Sequence, residues 1–527
     1  MKRRPCGLII PICVSTLFGI ACVMTPYLKP SDTHSLNLYR FPLGVGAYII
    51  AFLLLRMIVR QYHEVPYPVK CKMHDGKLFG ISFLCVLVTG LFWLLIYYPG
   101  LGMTDTINVI GTGMRFAPQH PWFYCLLVDL ITRTVLMFGG DYETVLLTES
   151  LLQIIIAAGV CGHCITWLKN KGLGIVPLAC ILGIYSLDPM LNMYQICLFK
   201  DVLYAYLIME WVMILYDLYE TKGHQLGEHK TIIKMVFLII LSLLRNNGVY
   251  VTSCILLSVL LMYHKYAKRI LILFIALLLT IGGSVLFERT NNITHLFKET
   301  AGIPLQQIAA VITASDKGIV TDDQREFINE IIPTDFIKEH YNPYTADPLK
   351  WGGAPLNNSF LNSHKKEFLK TWFAMLAPNL KIYVKAYLQA TYGFWATEPD
   401  HISRYSTVYV ESKKEWFEEN DIDIQNILPS KVERVLKKLT YDPTGDALGE
   451  GQLFWLMLLL LLVFISLFDR LFLIVGIPPL AGWLTIMVST PVAHQWRYVL
   501  YIALCLPIYA GLLLTPHKST EQNSVTD

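Results

Sequence analysis

The sequence predicts an all-α, multi-pass membrane protein of about twelve transmembrane helices, with one water-facing, largely helical domain inserted before the last three. Three observations carry this. Of 527 residues, 54% are hydrophobic and only 16% charged, where soluble domains carry roughly 25% charge; the mean hydropathy is +0.47. The charge is segregated, since Glu288 to Glu450 holds 41 of the 83 charged side chains. Outside that block, runs of about 20 apolar residues recur, the length that crosses a ~30 Å hydrocarbon layer.

Spans are expected to begin near Gly7, Leu43, Phe79, Val145, Gly174, Val202, Ile232, Val249 and Ile270, and, after the polar block, near Gln452, Leu471 and Arg497. The first follows Lys2-Arg3-Arg4 and reads as an uncleaved signal anchor with a cytoplasmic N-terminus under the positive-inside rule. Threading from there gathers Arg60, Lys70, Lys72 and Lys77, Lys169 and Lys171, Lys222 and Lys230, Lys265, Lys268 and Arg269, and Arg470 on the same side. Pro121 to Gly139 is apolar, but it contains Asp129 and Arg133, each costing about 2.5–3.5 kcal/mol at the centre of a span. It is expected to lie along the outer interface, with both chain termini in the cytoplasm.

The chain therefore divides into a nine-span module over residues 1–287, an extracytoplasmic domain over 288–450, a three-span module over 451–514, and a cytoplasmic tail over 515–527. An outward loop at 98–143 interrupts the first module. The polar block is net negative, with 18 basic and 23 acidic residues. Amphipathic stretches at Ile308–Val311, Gln324–Ile332, Glu367–Leu376, Lys381–Leu388 and Val432–Leu439 predict helices there. The aromatic density from Trp372 to Trp395 fits either a membrane interface or a small aromatic core. All 12 cysteines lie outside this block, mostly as small hydrophobes, which argues against a disulfide framework. Cys161-Gly-His-Cys164 has redox spacing but falls inside an apolar helix. A net charge of +3 without a basic cluster gives no reason to expect nucleic acid as a partner.

Three polar constellations face outward in this threading. The first loop, YYPGLGMTDTINVIGTGMRFAPQHPWFYCLLVDL, carries Asp105 where the third span meets water, and His120-Pro121 opening the interfacial stretch. A carboxylate at a membrane rim suits a general base or a metal ligand; it also suits a helix N-cap. Lys200-Asp201 caps the sixth span, where a lysine could neutralise a lipid phosphate or snorkel to its own aspartate. Arg245-Asn246-Asn247-Gly248 joins spans seven and eight, and its guanidinium could grip phosphate through two bonds or satisfy a helix C-terminus. Arg497 in the last outer loop is a similar candidate. Three outward bases run against the inside bias of positive charge, and phosphate is the reason that fits all three.

The order of motifs across residues 98 to 250, PG…D…HP, then KD, then RNNG, resembles the GT-C membrane glycosyltransferases, which include protein O-mannosyltransferases and the aminoarabinose transferases of lipid A. It also resembles a group of bacterial multi-pass proteins, extending to IPLQQIA at Ile303–Ala309. The chain departs from the transferases in having Asp105-Thr106 where they usually show Asp-Glu, and His120 where some relatives have lysine. The resemblance implies a GT-C-like fold and transfer of a sugar from a polyprenyl-phosphate donor to a cell-envelope acceptor (glycan, lipid or protein) on the outer face of the cell membrane. Asp105 would be catalytic, as a base or through a divalent cation. Lys200 and Arg245 would hold the donor phosphate, with His120, Asp201, Asn246 and Arg497 around the substrate. Two other readings use the same features. One is a transporter or flippase for a lipid-linked or amphipathic solute, with Glu149 and Glu210 as its ionisable centres; the other is a polymerase or ligase of lipid-linked polysaccharide.

Overall fold

The computed structural model describes residues 9–29, 36–64, 69–112, 120–293, 295–314, 317–398, 427–440, 448–489 and 492–516. The basic cluster Lys2–Arg4, the middle of the first outward loop and the tail from His517 lie outside the described residues. Those described are helical throughout, with only isolated bridges between extended residues.

Helices α1 (Ile9–Leu28) and α2 (Arg40–Glu64) form the first hairpin. Their backbones approach closely at Gly19 and Gly44, where a Cβ added to Gly44 would lie 2.7 Å from the Cys22 Sγ. Lipid tails offer no hydrophobic drive between helices, so small residues that bring backbones together do this work. Helix α3 (Asp75–Ile96) pairs along much of its length with α6 (Tyr142–Asn170). Between them come two shorter helices, α4 (Thr104–Thr112) and α5 (Trp122–Met137). At 16 residues α5 falls short of a span, and its buried Asp129 is paired to Arg133 one turn on, at 2.8 Å.

The next span is broken. Helix α7 (Ile175–Leu187) and α8 (Pro189–Gln195) meet at a 55° bend, where Pro189 lacks the amide that would continue α7. Backbone exposed in a membrane must find partners, and the sequence provides them. Asp188 accepts from the Leu191 amide at 2.9 Å. Asn192 donates to the Ser186 and Asp188 carbonyls at 2.8 and 2.9 Å. From α6, the Gln153 amide faces the carbonyls of Tyr194, Gln195 and Cys197 at 3.1, 3.0 and 2.8 Å.

Helix α9 (Lys200–Glu220) is the centre of the bundle: 78% of its most apolar stretch is buried, against 17% for the stretch containing α12 (Ala267–Thr290) at the periphery. Around α9 pack α6, α10 (His229–Leu241) and the closing helices Leu473–Ser489 and Leu500–Leu513, while α11 (Gly248–Met262) packs on Leu473–Ser489 and α12. Among the described residues nine helices are long and apolar enough to cross a membrane, or ten with the bent pair. The expectation of about twelve is not confirmed at the segments near Ile232 and Val249. Their helices are 13 and 15 residues long, because the chain breaks into a 3-10 turn and a tight corner at Ser242–Gly248 rather than running on.

The inserted block folds around a small core of its own, with Leu305, Ile308, Val311, Phe368, Met375 and Tyr383 buried together. The expected amphipathic stretches fall on the helices Gly302–Thr313, Asp322–Ile331, Lys365–Leu376, Leu380–Ala390 and Ser430–Thr440, with Ile332 alone lying one residue beyond its helix, in extended conformation. The aromatic stretch divides its duties. Tyr383 joins the domain core, whereas Tyr392, Phe394 and Trp395 belong to the bundle core. The carbonyls of Trp395 and Phe394 accept from the indoles of Trp455 and Trp483 at 2.8 and 2.9 Å.

Candidate functional site

The rim of the bundle beneath this domain collects the polar residues. The chain leaves α3 through Tyr97-Tyr98-Pro99-Gly100, and Gly100 has φ +121°, with the Ser150 Oγ only 2.0 Å from where a Cβ would sit. No other residue fits that corner. Leu101 then pairs with the strand-like end of α8, exchanging bonds with Ile196 and Leu198 at 2.9 and 3.0 Å. This pairing sets α4 against the start of α9. Asp105 lies in the first turn of α4. Its neighbour Thr106 bonds both the Leu198 carbonyl and the Tyr124 hydroxyl, which anchors α4 to α5 and α9.

Asp105 does not serve as an N-cap. Its Oδ2 receives a salt bridge from Lys200 at 2.6 Å and lies 3.5 Å from an Arg497 nitrogen. The His120 Nδ1 is 3.8 Å from the same oxygen and 3.4 Å from the Lys200 Nζ. Behind them, Asp201 is fully buried, 3.0 Å from Arg245 and 3.9 Å from Arg497. Lys200 thus pairs with Asp105 across the loop rather than with its own neighbour. Two carboxylates and three cations form one chain, Lys200–Asp105–Arg497–Asp201–Arg245, with an excess of one positive charge.

Arg497 is held by more than charge. It sits in a 3-10 turn, Trp496–Val499, with Trp496 stacked on Tyr194 at 5.3 Å. The guanidinium lies 4.2 Å from the Phe199 ring centre and donates to the Tyr498 hydroxyl at 3.2 Å. Arg245 faces the rings of Tyr204 and Tyr498 at 5.7 and 4.9 Å, so Tyr498 supports both arginines. Gly248 closes the Arg245 corner by close approach: an added Cβ would stand 2.1 Å from the Ser242 carbonyl. Asn246 is exposed and outside the ion-pair chain. Asn247 is the member of that motif with a structural tie, to Thr485 at 2.6 Å.

The electrostatics follow from this packing. Burial would raise the Asp105 pKa, but Lys200 and Arg497 outweigh it and hold the carboxyl well below the usual carboxylate range. Burial and the adjacent Lys200 push His120 down to about 4, so its imidazole is neutral at physiological pH. The His120 ring is 4% exposed and its Nε2 has no hydrogen-bond partner among the described residues. Among the described residues no three His, Cys, Asp or Glu side chains gather as metal ligands. A divalent cation beside Asp105 would sit against Lys200 and Arg497, so these residues do not suit one.

The other ionisable candidates lie elsewhere. Glu149 is buried in α6 with one carboxyl oxygen unpartnered. Glu210 is paired, to His163 at 2.8 Å and Lys234 at 2.7 Å, midway along α9. Cys161 and Cys164 are free, buried and mid-helix, where the spacing has a packing meaning only. Sequence reasoning missed Tyr498, Phe199 and the Thr106–Tyr124 bond. Of these only Tyr498, directly after Arg497, carried a local signal.

The chain belongs to a family of unknown function, DUF6020, whose model matches residues 112–526. That stretch contains His120, Lys200, Asp201, Arg245 and Arg497, whereas Asp105 precedes it. No curated protein and no solved structure matches the chain.

Proposed function

We propose that this protein is a membrane-embedded glycosyltransferase that takes its sugar from a polyprenyl-phosphate donor at the rim beneath the inserted domain, on the outer face of the cell membrane. The observation that carries this reading is the Lys200–Asp105–Arg497 bridge. Two cations that suit a phosphate here share one carboxylate, which leaves a net positive charge. A lipid phosphate arriving at the rim competes with Asp105 for Lys200 and Arg497. As it takes them, the carboxylate loses the charges that hold its pKa down, and its basicity rises. Asp105 then accepts the proton of the acceptor hydroxyl while Lys200 and Arg497 stabilise the leaving phosphate. His120 offers a neutral, unpartnered Nε2 to orient the sugar or the acceptor. Arg245 stays with Asp201 and holds the site from behind.

The test is a titration of the purified protein in nanodiscs with undecaprenyl phosphate. Wild type should bind, and Lys200→Ala or Arg497→Ala should weaken binding by at least tenfold, about 1.4 kcal/mol. Binding indifferent to both substitutions would remove the phosphate assignment. A transporter is the second reading, and the observation favouring it is the buried Glu149 with its unpartnered oxygen. Loss of solute uptake in Glu149→Gln, with phosphate binding absent, would select it.

A further inference from the structure

The helix Ser430–Thr440 presents three distinct edges. Glu433, Leu436 and Lys437 are half-buried. Leu436 packs against the bundle core, Lys437 pairs with Glu433, and the ammonium sits 5.2 Å from the Tyr97 ring centre. This edge faces the bundle. Val432 and Val435 are 45% and 57% exposed, and with Leu436 they follow the i, i+3, i+4 spacing of one helical stripe. Lys431, Arg434 and Lys438 are exposed as well and share a third edge by their i, i+3, i+7 spacing.

The level at which this helix lies is fixed by α3. Leu91, Phe92 and Leu95 on α3 are exposed, as expected of lipid-facing side chains, and the helix ends at Ile96. Tyr97 and Tyr98 follow, an aromatic pair of the kind that marks a membrane–water boundary. Lys437 over Tyr97 therefore places the helix at that boundary. A helix there, anchored sideways, with an apolar edge and a basic edge roughly a third of a turn apart, has the character of an interfacial amphipathic helix.

We propose that Ser430–Thr440 lies in the headgroup layer of the bilayer and binds anionic phospholipid there, with Val432 and Val435 dipping into the acyl boundary and Lys431, Arg434 and Lys438 contacting the headgroups. Counting Lys437 against Glu433, the helix carries three net positive charges on 11 residues, although it belongs to a net acidic block. Charge complementarity thus selects an anionic lipid surface over a neutral one. The inference does not depend on what the Asp105 site transfers.

Hydrogen–deuterium exchange on the full-length protein in nanodiscs tests it. Amides of 430–440 should exchange roughly tenfold or more slowly in discs containing phosphatidylglycerol than in pure phosphatidylcholine, since each base near an anionic surface contributes about a factor of five. The difference should vanish in Lys431→Gln/Arg434→Gln/Lys438→Gln and persist in the charge-conserving Lys431→Arg/Lys438→Arg. Val435→Asp should speed exchange in both discs. Equal exchange in the two disc types overturns the proposal. So does a lipid-dependent difference that survives removal of the three charges, or protection unaffected by Val435→Asp.

Discussion

Asp105 and Asp201 stand within one chain of ion pairs, yet their surroundings differ in one respect that governs what each can do. The Asp201 side chain is fully buried and its partner Arg245 is 8% exposed, whereas Asp105 is 21% exposed and reached from the rim. A buried pair is costly to separate because the remaining charge has no water to turn to. A pair at the rim can exchange its partner for another anion. On the proposed reading, the same residue type gives a fixed strut in one place and a displaceable plug in the other.

The comparison breaks most visibly at its buried half. Arg245→Ala should destabilise the protein by about 3–5 kcal/mol, because Asp201 is left charged in the interior. Thermal unfolding in detergent measures this, and adding Asp201→Asn should restore part of the loss. A fall in Tm no larger than for Lys200→Ala would erase the distinction between the two halves.

His120 sharpens the rim half through pH. Its pKa is depressed in the folded protein to about 4 from an ordinary 6.5, so the unfolded chain takes up the proton first as pH falls. The stability tied to the neutral imidazole is therefore complete above pH 6.5 and is lost as pH falls through about 4, by roughly 3 kcal/mol in all. Unfolding free energies from pH 7.5 to 4 should show this slope in wild type, and His120→Gln should flatten it.

A smaller effect is expected from the corner that carries α4. Gly100→Ala adds a methyl where Ser150 already stands, at a backbone conformation that alanine avoids. A cost of about 1–3 kcal/mol, with weaker phosphate binding although no charge has changed, would show that the corner sets the position of Asp105. Unchanged binding in a destabilised variant would limit its role to folding.

Much of this was legible in the sequence, for identifiable reasons. Hydropathy marks the helices that meet lipid, and charge segregation marks the inserted domain; both depend on composition over long windows. The span count was less legible because α10 and α11 are cut short by a corner at Ser242–Gly248, a local backbone event that leaves the surrounding apolar run intact. Asp105, Lys200, Asp201, Arg245 and Arg497 could each be picked out as polar residues at predicted helix ends. Their pairing could not, since Lys200 has an aspartate on either side of its choice: Asp201 next in the chain, and Asp105 95 residues away. The Leu101 pairing with the residues after α8 and the Thr106 bond to the Leu198 carbonyl decide between them. Asn246 illustrates the converse. It sits between two structurally engaged residues, and nothing in a four-residue motif distinguishes the exposed asparagine from the one tied to Thr485.

The most direct measurement of the central claim is undecaprenyl phosphate affinity in Asp105→Asn beside wild type. If the carboxylate competes with the lipid phosphate for Lys200 and Arg497, removing its charge should tighten binding by several-fold, on the order of 1 kcal/mol. Affinity equal to or weaker than wild type, in a variant that folds normally, would contradict the account.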